Sequence, residues 1–422
     1  MVASFAGAPP GAAFANASSV ETAKQAGLPS SLVYPNYKDF APRFGFAWRP
    51  FGGNRTVLRG GYAIFYGGNE LVDLETFVSL QFPFVIPLTM NRNLNDPTFL
   101  TLSNPFPAPP NLTSNVVNAF GIQTHAPTPY EQSWNLTVER EIGHGSAIEI
   151  GYVGSKGTHW DKMYNLNQPF RSAATYPNFP VPFPGWSSIN MYGYCCNSIY
   201  NAGNVTFRRR FVNNFLYRVG YSYAKPIDEA SRQGDNNGQP QDARNLRAER
   251  GRSEFDIGHS FLMSFSWQAP RHYNLLLRGW QLAGTGIAHT GPPFTPVNTN
   301  ANVNVGEASR PDRIAKGSVP NPSPTHWFNG ADFPLVPTGS YRLGDSGRDI
   351  LDGPGSIAIN LSFSRNFAIR ERGNLQFRWE TFNVLNHANF PLPVVQVNAV
   401  NAGTITTAGN PRTMQGALRL TF

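Results

Sequence analysis

The chain has 422 residues, of which 41% are hydrophobic, 14% charged and 13% aromatic, with 40 glycines and 36 prolines. A chain of this composition can bury a sizeable core and is not disordered, and its 2 cysteines exclude a disulfide scaffold or a cysteine-based zinc module. The net charge of +8 comes from dispersed arginines rather than from a basic stripe, so we expect no nucleic acid partner. Few charges, many aromatics and many turn-forming residues favour an all-β protein.

Eleven β-strands are predicted, because apolar and polar residues alternate along each of them. The alternation is clearest over residues 134–139, 356–364, 375–380 and 414–422. After Trp379 the apolar phase moves to Phe382, which predicts a β-bulge. The predicted strands are 41–49, 56–67, 131–142, 146–155, 202–211, 215–225, 259–269, 277–291, 356–369, 374–386 and 412–422.

Short and long connections alternate between these strands. The short ones contain hairpin residues and cover 50–55, 143–145, 212–214, 270–276 and 370–373. The long ones are rich in Pro, Asn, Gly and Ser and cover 68–130, 156–201, 226–258, 292–355 and 387–411. Outer-membrane barrels have short periplasmic turns and long extracellular loops. The sequence therefore predicts an antiparallel transmembrane β-barrel in a cell outer membrane of the Gram-negative type, with a periplasmic C-terminus.

Residues with the spacing of a catalytic, cofactor-binding or metal-binding motif are absent from the sequence, so we expect no enzyme activity, no cofactor and no metal. Asp228, Glu229 and Asp242 share one long connection and could form a weak calcium site. A plain Asx-type turn at residues 235–238 is the preferred interpretation of that connection.

Two further sequence features concern the export and the redox state of the chain. There is no apolar stretch of about 18 residues, and residues 1–20 lack a basic start and a continuous apolar segment. We therefore expect neither a transmembrane helix nor a signal peptide. The adjacent Cys195 and Cys196 are interpreted as two loop thiols or as a strained loop staple.

Six segments occur in a recognisable order and spacing. They are FAPRFGFAW at 40–48, VLRGGYAIFY at 57–66, WNLTVERE at 134–141, GYVGSKG at 151–157, GWQL at 279–282 and FRWETFNVLNH at 377–387. None is specific alone, but together they resemble the C-terminal β-barrel half of Oar-like TonB-dependent outer-membrane receptors and transporters. The resemblance extends from about residue 40 to residue 422.

The resemblance implies a domain organisation. Such receptors have a signal peptide, an N-terminal carboxypeptidase-regulatory-like β-domain, a plug domain and a barrel of about 22 strands. The predicted strands are half that number, so we expect a fragment. Residues 1–40 would be a loop or a remnant of preceding barrel strands, and residues 41–422 a partial barrel, with the plug domain and signal peptide absent.

The resemblance also implies uptake of a small ligand of the siderophore, glycan or peptide class. The implied partners are outer-membrane lipid, the barrel assembly machinery and the TonB complex, the last acting only through a plug missing from this chain. The assembly machinery would recognise the C-terminal strand through Met414, Leu418, Leu420 and Phe422. Candidate ligand contacts are the loop aromatics Trp160, Trp186, Tyr192, Tyr194 and Trp327, whose alternative role is to pack the loops together.

Two other functions fit the same sequence. A surface adhesion or scaffold barrel would use the long loops without transport. A soluble β-sandwich binding module would place the polar face of each strand in water, which alternation alone permits.

Overall fold

The computed structural model is all-β, as the sequence predicts. Apart from strands, its only regular elements in the described residues are two single-turn 3₁₀ segments, Leu246–Glu249 and Gly330–Asp332. No helix in that part of the chain is long and apolar enough to cross a membrane. The structure describes residues 2–3, 20–67, 117–171, 180–183, 186–231, 239–270, 272, 274, 278–298, 309–337, 340–369 and 373–422.

The strands of the described residues are numbered in chain order. They are β1 Val2–Ala3, β2 Val20–Glu21, β3 Arg43–Trp48, β4 Thr56–Tyr66, β5 Val117–Ile122, β6 Tyr130–Gly143, β7 Ser146–Asn165, β8 Trp186–Val212, β9 Phe215–Asp228, β10 Gly251–Arg252, β11 His259–Gln268, β12 Trp280–His289, β13 Pro293–Phe294, β14 Ser318–Ser323, β15 His326–Phe328, β16 Leu351–Asp352, β17 Ser356–Ile369, β18 Gly373–Phe382 and β19 Thr413–Thr421.

One sheet of 13 strands dominates the molecule. Its main path runs β3-β4-β6-β7-β8-β9-β11-β12-β17-β18-β19, and every pair along this path is antiparallel. Strand β10 adds to β9, and β5 runs parallel to β8. The path contains the predicted strands in their predicted order. Among the described residues the outer edges of β3 and β19 have no partner strand, so the sheet is not closed.

The two faces of this sheet differ in polarity. Residues paired directly across neighbouring antiparallel strands point to the same face. One such row, the apolar row, consists of Trp48, Leu58, Val138, Ile150, Val205, Tyr221, Phe261, Ala288 and Ile357. The neighbouring row, the polar row, consists of Ala47, Arg59, Thr137, Gly151, Asn204, Ser222, Ser260, His289 and Ser356. The faces that carry them are called the apolar face and the polar face.

Glycines on the apolar face lie under large side chains of the neighbouring strand. A Cβ atom at Gly154 would lie 2.3 Å from Trp134 Nε1, and one at Gly284 would lie 2.6 Å from Cε1 of Phe265. The rings can lie flat on the sheet only because no Cβ stands in their place. This packing explains why glycine occurs inside strands, where it otherwise weakens pairing.

The tight turns cluster at one end of the sheet. Asn213 and Asn214, between β8 and β9, both have positive φ, at 52° and 63°. Two such central residues form a type I′ turn, whose twist matches that of antiparallel strands, and asparagine tolerates this conformation. The predicted hairpin at 212–214 is therefore confirmed.

Two predicted strand boundaries are wrong. Strands β7 and β8 extend roughly ten to fifteen residues beyond the predicted 146–155 and 202–211, so the loop between them shrinks to residues 166–185. Up to Thr381, β17 and β18 pair without a register shift, but beyond it the N–H of Val384 still donates to the carbonyl of Ile359 at 2.8 Å, so the irregularity predicted after Trp379 lies at the end of β18. Strand β18 ends at Phe382, and Asn383 turns the chain with a φ of 49°.

The hydrophobic core of the described residues lies in the long loops. Phe294, Phe328, Phe333 and Leu351 are at most 5% exposed and form one cluster. They come from the small β13–β16 and β14–β15 pairs and the chain beside them. The connection between β12 and β17 therefore folds around a core of its own.

Candidate functional site

The apolar face presents large hydrophobic side chains that the described protein does not cover. Trp48 is 57% exposed, Ile150 54% and Leu418, on the edge strand β19, 72%. A continuous apolar surface of this extent is unfavourable in water. It fits the outward band of a membrane barrel, in which apolar residues face lipid and polar residues face the lumen.

The polar face carries a charge cluster near the tight turns. Glu139 accepts hydrogen bonds from Arg59, at 2.8 Å, and from Arg208. Glu149 lies directly across from Glu139, and Arg218 directly across from Arg208. These five side chains carry three positive and two negative charges on the face assigned to the lumen.

The long loops are joined by buried ion pairs around Arg348. Its guanidinium donates to the carboxylate of Asp228, to Ser231 Oγ at 2.8 Å and to the carbonyl oxygen of Glu249 at 2.8 Å. It also pairs with Asp349 Oδ2 at 3.1 Å. One side chain thus ties the β9–β11 connection to the β12–β17 connection.

A second buried pair lies beside the first. Arg310 donates two hydrogen bonds to Glu249, from Nη1 to Oε2 at 2.8 Å and from Nη2 to Oε1 at 3.1 Å. Glu249 is 2% exposed and also accepts from the backbone N–H of Gln241. This two-point geometry fixes both side chains. We call Asp228, Glu249, Arg310, Arg348 and Asp349 the loop cluster.

Side-chain amides extend the network to the β7–β8 loop. Gln168 donates to the carbonyl of Gln241 at 2.9 Å and accepts from the N–H of Ala243 at 2.7 Å. Gln241 in turn donates to the carbonyl of Gly344 at 2.9 Å. Three long loops therefore form one interlocked layer above the sheet.

Burial shifts the acidity of groups in this layer. Burial raises the pKa of the Asp349 carboxyl, outweighing the opposing effect of the adjacent Arg348. Burial likewise lowers the pKa of Lys162, which donates to the carbonyl of Glu229 at 2.8 Å. Each shift reflects the cost of placing a charge away from water. The loop layer is thus a packed interior.

The predicted ligand-contact aromatics lie in three strands, β7, β8 and β15. Trp160 lies in β7 and donates from Nε1 to Ser198 Oγ at 3.2 Å, and Trp327 lies in β15 and donates to the carbonyl of Asp352 at 2.8 Å. Tyr192 is 5% exposed and Tyr194 is half-buried, both in β8, which begins at Trp186. They were predicted in loops but lie in strands, and their contact with a ligand stays a prediction.

The predicted assembly residues lie together at one edge. Met414, Leu418 and Leu420 project from β19 on the apolar face and are 50% to 72% exposed, and Phe422 follows the strand at 99% exposure. Cys195 and Cys196 are free thiols in β8, and Cys196 is 1% exposed.

The candidate calcium ligands are engaged in other contacts. Asp228 pairs with Arg348, and Glu229 accepts from the backbone N–H of Asn197 at 2.8 Å. Asp242 lies 3.6 Å from Arg171, and residues 235–238 lie outside the described residues. Within the described chain, no group of three His, Cys, Asp or Glu side chains could hold a metal ion.

The loop cluster itself was not predicted. Its pairs join residues 61 and 120 positions apart, Glu249 with Arg310 and Asp228 with Arg348. No spacing rule covers such distances. The only signal in the sequence is a set of single arginines and acids within loops otherwise built from Pro, Gly and Asn.

An antiparallel sheet with an apolar outer face, a polar inner face and long loops at one end defines the outer-membrane barrel class. The sequence matches the family of outer membrane beta barrel domains over residues 4–415, and the chain belongs to this family. No curated protein matches it significantly in sequence.

Solved structures of similar fold come from outer-membrane proteins. The outer membrane transporter YddB from Escherichia coli is 14% identical, with a TM-score of 0.53 over 90% of this chain and 40% of that chain. A mutant of the ferric enterobactin receptor PfeA from Pseudomonas aeruginosa is 10% identical, with a TM-score of 0.46 over 91% and 40%. The FrpB iron transporter from Neisseria meningitidis is 11% identical, with a TM-score of 0.45 over 90% and 39%. Of these three, YddB establishes the shared fold, and the chain spans 40% of its length.

Proposed function

We propose that this chain forms part of the barrel of an Oar-like TonB-dependent receptor that imports a small ligand across the outer membrane. The observation that carries the proposal is that apolar and polar residues lie on opposite faces of the antiparallel sheet, with the long loops at one end only. A soluble sandwich would cover its apolar face with a second sheet. Here that face is exposed, as lipid contact requires.

The proposed orientation follows from loop length. The interlocked loops face the cell exterior, and the tight turns and C-terminus face the periplasm. Residues 41–422 form the barrel portion, and residues 1–40 are a loop or a remnant of preceding barrel strands. The loop layer would capture the ligand, and the charges around Glu139 would line its route through the lumen.

The edges left open among the described residues are the reason to infer further strands. Backbone groups on the outer edges of β3 and β19 would meet hydrocarbon in a bilayer, which costs several kcal/mol for each unsatisfied group. We infer that further strands close this sheet, making it the C-terminal half of a larger barrel. A plug within that barrel would contact TonB. The exposed residues of β19 would serve the assembly machinery.

The fold-level part of the proposal is tested by fractionation. The full-length protein, expressed in a Gram-negative host, should sediment with outer membranes and migrate differently on a gel before and after boiling. Recovery in the soluble fraction would contradict the barrel and favour the soluble alternative.

Transport is tested separately by gene deletion. Loss of the gene should abolish uptake of one labelled siderophore, glycan or peptide, and the intact gene should restore it. Unchanged uptake of all three classes, together with lost surface attachment, would refute transport and favour the adhesion barrel.

A further inference from the structure

Three side chains from neighbouring strands meet beside the loop layer. Lys156 of β7 lies across from Ile199 of β8, and its Nζ donates to Oδ1 of Asn197, the next residue of β8 on the same face, at 3.3 Å. Glu229 follows the last residue of β9, and its N–H donates to the carbonyl of Asn197 at 3.1 Å. The side chains of Lys156, Asn197 and Glu229 therefore lie next to one another across three strands.

The side-chain amide of Asn197 is held between an amine and a carboxylate. Its Nδ2 donates to Glu229 Oε2 at 3.2 Å, and the same oxygen accepts from the backbone N–H of Asn197 at 2.8 Å. Glu229 is 8% exposed, and its carbonyl accepts from Lys162 Nζ at 2.8 Å, which fixes its position further. The amide nitrogen thus contacts an acid–base group, while the amide oxygen contacts a primary amine.

This combination of three groups is what distinguishes the site. Lys156 is half-buried and makes no ion pair among the described residues, so its amine is not engaged by a carboxylate. Asn329 also donates to a carboxylate, that of Asp332 at 2.7 Å, but within the described chain its amide has no hydrogen bond to a lysine. A deprotonated lysine amine is a nucleophile that forms covalent bonds to carbonyl carbons.

We propose that Lys156 and Asn197 join in an intramolecular isopeptide bond. Nζ of the neutral amine attacks Cγ of Asn197, and Glu229 takes a proton from Nζ and delivers it to Nδ2. The new bond joins Nζ to Cγ, the bond between Cγ and Nδ2 breaks, and the amide nitrogen leaves as ammonia. The ammonia takes up the proton that the Lys156 ammonium released on becoming an amine. Atoms and charge therefore balance without an oxidant or a second enzyme.

The contacts place these groups close to the geometry of reaction. Reacting atoms about 3–3.5 Å apart are within attack range, and a proton-transfer group acts within about 2.6–3.2 Å. Nζ lies 3.3 Å from the oxygen of the amide that it attacks, and Glu229 Oε2 lies 3.2 Å from the leaving nitrogen. Rotation about the side-chain bonds of Lys156 brings Nζ from Oδ1 over Cγ.

The bond joins two strands where their pairing is irregular. The register of β7 with β8 shifts on either side of Trp160. Strand β8 also exchanges neighbours there, because it pairs with β9 up to Ser198 and with β5 from Tyr192. A covalent link at this point holds the extended ends of β7 and β8, which carry part of the loop layer, against local unfolding and proteolysis.

The test is peptide mapping of the full-length protein purified from outer membranes. We expect one branched peptide that joins the segments around residues 156 and 197 and is lighter than the two separate segments by one ammonia, about 17 Da. A succinimide at Asn197 would also lose ammonia but would leave the two segments separate. The branched peptide, rather than the loss of mass alone, is therefore the evidence required.

Two variants remove the chemistry, and a third is the matched control. Lys156→Arg keeps a positive charge but has no amine, so the branched peptide should be absent. Glu229→Gln keeps an acceptor oxygen but cannot transfer the proton, so linkage should slow by at least about a hundredfold. Lys225→Arg alters an exposed lysine of β9 on the same face and should leave linkage unchanged. Heat-dependent migration on a gel shows whether each variant has folded.

The unaltered protein supplies the test if a variant does not fold. After refolding from denaturant in detergent, it should form the link by itself, at a first-order rate that does not depend on protein concentration. Separate segments in the folded unaltered protein, linkage that requires an added enzyme, or undiminished linkage in folded Glu229→Gln would each overturn the proposal.

Discussion

Replacing Arg348 by alanine should open the loop layer without unfolding the sheet. The Arg348, Asp228 and Asp349 side chains are 13%, 8% and 9% exposed, so the substitution leaves two carboxylates buried without their cation. Breaking a buried pair in this way costs about 3–5 kcal/mol. The equilibrium for local opening should therefore rise by about two to three and a half orders of magnitude.

Hydrogen exchange of the purified protein in detergent measures this opening. Peptides covering residues 228–231, 246–252 and 345–352 should lose protection, while peptides within 146–155 should not. Arg342→Ala is the matched control, because its pair with Asp312 lies at the surface with the arginine side chain 50% exposed. Unchanged exchange in Arg348→Ala, or equal acceleration in Arg342→Ala, would refute the assigned role of the loop cluster.

Three further predictions concern the strands. Gly154→Ala should destabilise the folded barrel by about 1–3 kcal/mol in urea titration, whereas Gly203→Ala, with nothing within 4 Å of its added Cβ, should cost less. Equal midpoints would contradict the ring-over-glycine packing. Phe422→Ser should reduce the heat-modifiable fraction of the protein in membranes. Refolding in detergent should be unchanged, because that side chain is 99% exposed. An equal loss of refolding in detergent would indicate a structural role for Phe422 instead. Cys196 is 1% exposed, whereas Cys195 beside it is half-buried. An alkylating reagent should therefore take up one thiol per folded chain, and simultaneous loss of both thiols would contradict this.

The strand path was predictable because each spanning segment touches two different media. Residues such as Leu136 and Thr137 alternate strictly, and the register confirms that they lie on opposite faces of the sheet. The C-terminal strand was predictable for the same reason. An alternation with a period of two residues is visible in the local sequence alone, so a strand can be predicted from it without knowing which strands it pairs with.

The extension of β7 was not predictable by this rule. Asp161, Lys162 and Met163 are consecutive and are 7%, 4% and 1% exposed, because loops cover both faces of the sheet there. A strand buried on both sides has no polar face, and the register shifts between Gly157 and Trp160 disturb the phase further. The loop cluster was hidden for a related reason, since its partners meet only after the loops have folded.

Strands that pair in the main sheet follow one another in chain order. The barrel wall can therefore gain or lose one hairpin at a time. A hairpin inserted or removed at a tight turn changes the circumference of the wall, while every other pairing keeps its partners. One connection of the loop layer cannot be changed independently of the others, because Arg348 and Gln241 tie three connections together. Variation in lumen width can therefore accumulate stepwise, whereas the outer loop surface must change as a unit.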